Sequence, residues 1–454
     1  MYNLCIKNGF IITPYQNFYG SVLIDNGRVA ALVHHSMPLP QAKRVIDAEG
    51  RYIMPGAVDP HVHLNDPGFT KSEDFYTGTC SAAAGGITTV LEMPLTDPLP
   101  ATAETFRSKL NEVSPKAVVN FGLWGALTPS NLSDLEEMIR LGAVAFKAFL
   151  TWAPEIPAVD DYSLVKAMEF LSDKDRVIGI HCENDSIIQG YTNSLKKAKR
   201  NKPEDFLESR PEIAEYEATC RVALLAKEKN AKVHIVHCSS PQAVEIAQMF
   251  RSQGAKVSVE TCIQYLTFSR EEIIKLGPYG QFIPPFRSLK AVEGMWKHAL
   301  NGSIDCLGSD HSPYTFEEKD AGFRSIWDSP SGITSLQTWV PQFFSESFHN
   351  RQMPLSKFVM LCSTRAAQIF GLYPRKGIIA PGSDADLVIF DPEAKWIVAS
   401  DDLLYKKKWS PFIGKEIKGR VDMTIVCGEV VYQNETIISP GGQGRFISPE
   451  YCQS

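Results

Sequence analysis

The sequence lacks four features, and each absence excludes a class of protein. No apolar run reaches about 18 residues, the length that a membrane-spanning helix needs, so we expect no membrane partner. No CxxC pair occurs among the ten cysteines, which favours reduced thiols over a disulfide framework. Basic residues are not in excess: 46 Lys and Arg stand against 52 Asp and Glu, and a net charge of -6 argues against a nucleic-acid partner. The N-terminus shows no charged leader before an apolar core, so we expect a cytoplasmic protein.

The two ends of the chain share one pattern of short strands and turns. Residues 1–53 and residues 377–454 both contain short strand-like runs separated by turn residues such as Asn8-Gly9 and Pro381-Gly382. Neither end could bury its apolar face alone. The sequence therefore predicts that the two ends pair into one small β-sandwich domain, and that residues 54–376 form a second domain.

The middle of the chain alternates apolar strand-like runs with amphipathic helical stretches, which is typical of an α/β protein with a buried parallel sheet. A TIM barrel of about 250 residues fits within the 454 residues together with a second domain. We therefore predict a (β/α)8 TIM barrel. Its eight strands are expected at Ala57–His63, Thr88–Pro94, Val118–Leu127, Gly142–Leu150, Val177–Glu183, Lys232–Ser239, Lys256–Leu266 and Ile304–Pro313.

Histidines cluster at the predicted strand ends, where barrel enzymes carry their catalytic groups. The first strand ends in His61-Val62-His63, and residues two apart on a strand point to the same side. One such pair could equally be buried core histidines. The pattern repeats at later strand ends with His181, His237 and Asp310, so the sequence predicts a metal centre built from these five residues.

A lysine, Lys147, ends the predicted fourth strand among apolar residues. The simpler interpretation is an amine that reaches solvent along an apolar stem. The alternative is that burial lowers the pKa of the amine, which then reacts with carbon dioxide to form an anionic carbamate that bridges two cations. Charge supports the carbamate, because Asp310, a carbamate and a hydroxide together offset three of the four charges of two divalent cations.

Two divalent cations imply hydrolytic chemistry. Such a pair makes water a nucleophile near neutral pH and polarises a carbonyl. Asp310 is then expected to take the proton of the nucleophile and pass it to the leaving nitrogen, as general base and then acid. The sequence thus favours hydrolysis of an amide without a covalent enzyme intermediate.

These residues lie in segments that, taken together, resemble the amidohydrolase superfamily, in its cyclic-amidase branch of allantoinases, hydantoinases, dihydropyrimidinases and dihydroorotases. The resemblance implies that the six residues are metal ligands, that Lys147 is carbamylated, and that the metal is zinc, although such ligands also accept manganese or cobalt. It also implies a homotetramer or homodimer. The matching segments are Pro55–His63, Gly85–Thr89, Phe146-Lys147, His181–Asn184, His237–Ser240, Glu260–Cys262, Ser309–Pro313 and Pro381–Leu387.

Within the branch, two substrates compete. The segments Asn65–Gly68, Glu92–Leu95 and Asp402–Gly414 resemble allantoinases, which makes allantoin, opened to allantoate, the first expectation. Other positions resemble an L-selective hydantoinase, and apolar residues such as Phe69 would suit a 5-substituted hydantoin better than the polar arm of allantoin. A remote alternative is an inactive scaffold like the dihydropyrimidinase-related proteins, which lack several of the ligands that this chain keeps. The candidate substrate-binding residues are Asn65, Thr96, Trp152, Ile283 and Gly332.

Overall fold

The computed structural model describes residues 1–449 and shows two parts, a barrel and a sheet built from the chain ends. The strands are β1 Tyr2–Ile12, β2 Asn17–Asp25, β3 Arg28–His34, β4 Ala42–Asp47, β5 Tyr52–Pro55, β6 Ala57–Val62, β7 Ile87–Glu92, β8 Asn120–Leu123, β9 Gly125–Ala126, β10 Phe146–Phe149, β11 Val177–His181, β12 Lys232–Ile235, β13 Val257–Cys262, β14 Cys306–Gly308, β15 Leu387–Ile397, β16 Glu416–Val426, β17 Glu429–Gln433 and β18 Thr436–Ile437.

The barrel strands pair in parallel, in the orders β6-β7-β8 and β9-β10-β11-β12-β13-β14. One predicted strand, Val118–Leu127, is observed as β8 and β9. The interruption falls at Trp124, whose N–H donates to the Glu92 carbonyl of β7 (3.0 Å), whereas the next N–H, of Gly125, donates to Ala145 before β10 (2.9 Å). Consecutive N–H groups of a strand point to opposite sides, so residues 120–126 form one strand that pairs with β7 on one side and with β10 on the other.

Backbone hydrogen bonds between the first and last strands close the ring. The His63 N–H donates to the His311 carbonyl (2.8 Å), and the Asp310 N–H donates to the His61 carbonyl (2.9 Å). These bonds place the ends of β6 and β14 side by side. The predicted α/β class and TIM barrel are confirmed by this architecture and by the structural relatives described below.

Helices cover the outside of the barrel. In the helix Leu289–Asn301 the buried residues Val292, Met295, Trp296 and Ala299 follow the helical repeat, and the Ser288 side chain caps its first turn by accepting from Ala291 N. The helices are α1 Phe75–Ala84, α2 Ala103–Val113, α3 Leu135–Arg140, α4 Asp161–Asp173, α5 Asp185–Lys197, α6 Pro203–Ser209, α7 Glu212–Glu228, α8 Pro241–Ser252, α9 Ile263–Thr267, α10 Arg270–Ile273, α11 Leu289–Asn301, α12 Phe316–Asp320, α13 Trp339–Phe344, α14 Leu355–Val359 and α15 Arg365–Ile369. Within residues 1–449, no helix is long and apolar enough to cross a membrane.

The chain ends share one nine-stranded sheet, in the order β18-β17-β16-β15-β5-β1-β2-β3 with β4 beside β1. Strand β5 joins the ends, because it pairs with β1 on one side and with β15 on the other. The sheet encloses its own apolar core, which draws Ile6, Val22 and Ile53 from the first part of the chain and Leu387 and Ile425 from the last. The division into residues 1–53 with 377–454 and residues 54–376 stays a prediction.

The last described segment leaves this sheet and runs along the barrel. The Phe121 N–H of β8 donates to the Arg445 carbonyl (3.0 Å), and the Ile447 N–H donates back to the Phe121 carbonyl (2.8 Å). Ile447 is buried against barrel residues such as Val58 and Trp124. Residues near the C-terminus therefore add to the barrel wall.

Candidate metal centre

Three of the predicted ligands meet where β6 and β14 end. The Oδ1 atom of Asp310 lies 3.3 Å from Nε2 of His61 and 3.2 Å from Nε2 of His63. All three side chains are buried, and their donor atoms lie close enough to bind one ion. Asp310 adopts a positive φ of 43°, a conformation that is uncommon outside glycine.

Two further histidines meet beside this group. The Nδ1 atom of His181 lies 3.0 Å from Nε2 of His237, and their rings meet edge to face with centroids 4.6 Å apart. The His237 ring also lies 5.2 Å from that of His61, so the two groups adjoin. His237 has a positive φ of 38°, the second such value among these residues. The structure thus brings the His181 and His237 nitrogens together as it does the first group.

Lys147 lies on β10, fully buried, and its Nζ atom has no hydrogen-bond partner within residues 1–449. The Nζ atom is 5.0 Å from the Phe149 ring centroid, and that ring stacks on His181 with centroids 5.1 Å apart. Burial lowers the pKa of Lys147 to about 8, despite the attraction of Asp310 and Glu260. A buried amine without a partner is costly unless another group occupies the space in front of it.

The protonation states suit metal ligation. Burial lowers the pKa of His63 to about 4 and lowers that of His181 and His237 as well, so these rings are neutral near pH 7. Burial alone would raise the pKa of Asp310, but attraction to His61 and the hydrogen bond with His63 outweigh it and lower the pKa. Neutral imidazoles and a carboxylate are the forms that bind divalent cations.

The candidate substrate-binding residues on the first two loops are held by the scaffold. Asn65 follows β6 with a φ of 59°, and its Nδ2 atom donates to Ser72 Oγ (2.8 Å) and to the Pro313 carbonyl (3.0 Å). Thr96 is buried after β7, and its hydroxyl donates to the Pro98 carbonyl (3.2 Å). The bonds of Asn65 link the loop after β6 to the loop after β14.

The other three candidate substrate-binding residues lie in different environments. Trp152 follows β10 with 64% of its surface exposed. Ile283 packs in a satellite cluster with Phe206, Leu207 and Ile326, so its side chain contacts other loops. Gly332 is buried, and a Cβ atom there would lie 2.4 Å from the Ser312 carbonyl oxygen, which is two residues beyond Asp310.

The segment Asp402–Gly414, which resembles allantoinases, packs against the loops of the centre. The Trp409 indole N–H donates to the Tyr314 carbonyl beyond β14 (3.1 Å), and the Ser410 hydroxyl donates to the Thr334 carbonyl (2.8 Å). The Lys406 N–H donates to Glu73, the buried carboxylate after β6 that also lies 3.4 Å from His311. This segment therefore contacts the chain that follows Asp310 and the glutamate that lies beside His311.

Two buried glutamates contact histidines of the centre. The sequence did not predict these contacts, although the glutamates lie in the segments His181–Asn184 and Glu260–Cys262 that resemble the family. Glu260 Oε1 lies 2.9 Å from Nδ1 of His61, and Glu183 Oε2 lies 2.7 Å from Nε2 of His181. Glu183 also pairs with Arg210; burial would raise its pKa, but Arg210 and His181 lower it to about 2. The spacing His181-Cys182-Glu183 could have indicated the second contact, whereas no local pattern joins Glu260 to His61.

Comparison with known proteins defines the class. Residues 52–431 match the model of the amidohydrolase family, and the chain belongs to this family. It is 36% identical to the allantoinase of Salmonella choleraesuis (strain SC-B67), with 98% of each chain covered. Among solved structures it is similar to the L-hydantoinase (dihydropyrimidinase) from Arthrobacter aurescens, with a TM-score of 0.96, 32% identity and coverage of 99% and 100%. The dihydropyrimidinase from Brevibacillus agri NCHU1002 gives a TM-score of 0.93 at 30% identity, with 99% of each chain covered.

The fold, the buried His and Asp groups and these relatives make the protein a hydrolase that acts on cyclic amides. The family is typically metal-dependent with two ions, and His61, His63 and Asp310 form a group able to bind a metal. The substrate is a small molecule.

Proposed function

We propose that the protein hydrolyses a five-membered cyclic ureide. The preferred substrate in this proposal is allantoin, which is opened to allantoate. The observation that carries the proposal is the meeting of His61, His63 and Asp310 beside the His181–His237 pair, in a chain with full-length similarity to an allantoinase. An inactive scaffold of the dihydropyrimidinase-related kind is disfavoured, because all six donors are present.

The proposed ligands divide into two sets. His61, His63 and Asp310 would hold one divalent cation, and His181 and His237 would hold the other. Lys147 would serve both cations as a carbamate: its free amine would form a bond to carbon dioxide and release one proton to solvent. Zinc is the proposed metal, and manganese or cobalt also suit imidazole and carboxylate ligands.

When bound, the two cations supply a nucleophilic water and polarise the scissile carbonyl. The remaining task is proton transfer, and Asp310 is placed for it because its carboxylate is ionised and lies at the centre. Asp310 accepts a proton from the attacking water as the new C–O bond forms. It then returns that proton to the ring nitrogen as the C–N bond breaks, so that no enzyme group stays modified.

The experiment is a panel of ring-opening assays on protein supplied with zinc and bicarbonate. The substrates are allantoin, 5-substituted hydantoins, dihydrouracil and dihydroorotate, and the Asp310→Asn variant controls for contaminating hydrolases. We expect allantoin to have the highest kcat/KM. Protein that carries two ions per chain yet consumes neither allantoin nor any hydantoin would overturn the proposal.

A second candidate keeps the chemistry and changes the substrate to 5-substituted hydantoins, which open to N-carbamoyl amino acids. Two apolar side chains on loops after barrel strands favour it, since Phe69 and Trp152 are 44% and 64% exposed and could contact an apolar substituent. The Phe69→Arg variant tests this, with Tyr162→Arg on helix α4 as a matched control at another exposed aromatic. Under this candidate the wild type prefers benzylhydantoin, and only Phe69→Arg shifts the preference towards allantoin.

We also propose a homotetramer or homodimer in the cytoplasm. The nine described cysteines are all unpaired, which suits a reducing compartment. Light scattering coupled to size-exclusion chromatography measures the assembly, and a monomer at all concentrations contradicts the first part of this proposal.

A further inference from the structure

Glu260 and Glu183 each contact a histidine of the centre, but they face different ring nitrogens. In His61 the Nδ1 atom faces Glu260 (2.9 Å), while Nε2 faces Asp310. In His181 the arrangement is reversed, because Nε2 faces Glu183 (2.7 Å), while Nδ1 faces His237. All of these side chains are buried.

A neutral imidazole carries one N–H, and an ionised carboxylate can only accept a hydrogen bond. The nitrogen that faces the glutamate is therefore the protonated one, and the other nitrogen keeps its lone pair for a ligand. In His61 the Nε2 atom also faces a carboxylate, Asp310 (3.3 Å), and the shorter contact of Nδ1 with Glu260 (2.9 Å) assigns the proton to Nδ1. His61 accordingly presents Nε2 to the centre, and His181 presents Nδ1. The Nδ1 atom of His237 has no hydrogen-bond partner within the described chain, so His237 lacks a carboxylate of this kind.

The two carboxylates differ in what else they hold. Glu260 Oε1 also accepts from the His237 N–H (3.1 Å), and Glu260 Oε2 lies 3.2 Å from Nε2 of His234, so Glu260 contacts a proposed ligand of each set. Within residues 1–449, Glu183 hydrogen-bonds only to His181 among the proposed ligands, and it also pairs with Arg210. Arg210 lies between helices α6 and α7, and its carbonyl accepts from Arg287 (2.6 Å).

From this asymmetry we infer that Glu183 and Glu260 are positioning residues that act on different metal positions. Glu183 sets the cation affinity of the His181–His237 position alone, and Glu260 sets the cation affinity of both positions. The inference rests on the proposed binding of two cations. Loss of such an outer partner typically weakens metal binding about 10- to 100-fold. In Glu183→Gln the amide can donate as well as accept, so His181 no longer has a single favoured tautomer.

The test is a cobalt titration of metal-free protein in bicarbonate, followed by visible absorption and by competition with a chelator. For Glu183→Gln we expect one of two ions to bind about 10- to 100-fold more weakly, with the other unchanged. For Glu260→Gln we expect both to weaken. Glu204→Gln, at an acidic residue of helix α6 outside the centre, is the matched control and should bind both ions as the wild type does.

Two further measurements keep the inference falsifiable if a variant folds poorly. Arg210→Met removes the partner of Glu183 without touching either ring, and it should weaken the same single ion. Nitrogen-15 spectra of histidine-labelled, metal-free wild type should show His181 protonated at Nε2 and His61 at Nδ1. Equal weakening of both ions in Glu183→Gln, or no weakening, overturns the inference. A wild type that binds no cobalt overturns instead the proposed centre itself.

Discussion

The Nζ atom of Lys376 lies 2.5 Å from Oδ2 of Asp386, and both side chains are buried where the barrel meets the sheet of the chain ends. The same carboxylate accepts from Asn120 of β8 (2.9 Å) and from the Cys427 N–H (2.8 Å). The Pro381–Leu387 motif is thereby explained, because its last carboxylate links the two parts of the molecule. A second carboxylate of the motif, Asp384, lies 2.9 Å from the same ammonium.

Replacing Lys376 by Met should destabilise the protein by about 3–5 kcal/mol, because the buried Asp386 carboxylate loses the ammonium beside it and Asp384 is left with Arg375. Urea unfolding with Lys166→Met, an exposed lysine on α4, as the control measures the difference. A loss below about 1 kcal/mol, the value of an exposed ion pair, contradicts the assignment.

The stability that Lys376 contributes should depend on pH. Burial alone would lower the pKa of Lys376, but Asp386 and Asp384 raise it above 10.5, so its contribution is complete below pH 10.5 and is lost as pH rises through the raised value. Burial alone would raise the pKa of Asp384, but Lys376 lowers it below 3.8, so its contribution is present above pH 3.8 and is lost as pH falls through the lowered value. The stability difference between wild type and Lys376→Met should therefore be greatest between these limits, and a difference that grows as pH falls below 3.8 contradicts it.

Lys147 should take up carbon dioxide as pH rises. Carbamylation requires the free amine, and burial lowers the pKa of Lys147 to about 8. Metal-free protein in carbon-13 bicarbonate should therefore gain a carbamate resonance as pH rises through about 8. Lys147→Arg keeps a positive charge but should show no resonance and should not bind two ions. An Arg variant that retains both ions and full activity contradicts the bridging role.

Asp310→Asn should lower kcat about 10²- to 10⁴-fold, the range for loss of a general acid–base group. The amide keeps the size of the side chain but cannot accept the proton of the attacking water. Metal content measured on the same samples separates lost chemistry from lost metal, and Asp401→Asn at an exposed aspartate is the control. Turnover within a few-fold of wild type would exclude Asp310 as the proton carrier.

Gly332→Ala should destabilise the protein by about 1–3 kcal/mol and lower kcat/KM, because the added methyl group overpacks the loop after β14. Its Cβ would lie 2.4 Å from the Ser312 carbonyl oxygen and 2.6 Å from the Tyr314 ring. Gly190→Ala on helix α5 is the matched control: a Cβ there meets nothing within 4 Å. It should be neutral or stabilise by about 0.5–1 kcal/mol. Equal effects of the two variants would contradict the close packing at Gly332.

The sequence predicts the barrel, and the strand ends at which the histidines meet, because both follow from local repeats. His61 and His63 share a side through the two-residue period of a strand, and parallel strands bring Lys147, His181 and His237 to one end of the barrel. The contact between Glu260 and His61 joins residues 199 positions apart, and no local pattern encodes it. The side-chain direction of Ile283 depends on packing against Phe206 and Ile326, which the sequence does not place beside it.

Strand β5 has a consequence for the order of synthesis, because it lies between β1 and β15 in the sheet of the chain ends. As the ribosome makes this chain, β5 emerges early and has only β1 beside it, with its other edge unpaired until β15 is complete. The barrel, whose strands lie between them in the chain, can therefore form before this edge is covered. An exposed strand edge of this kind is a site of aggregation in nascent chains, so yield on expression should respond to chaperones more than the stability of the finished protein does.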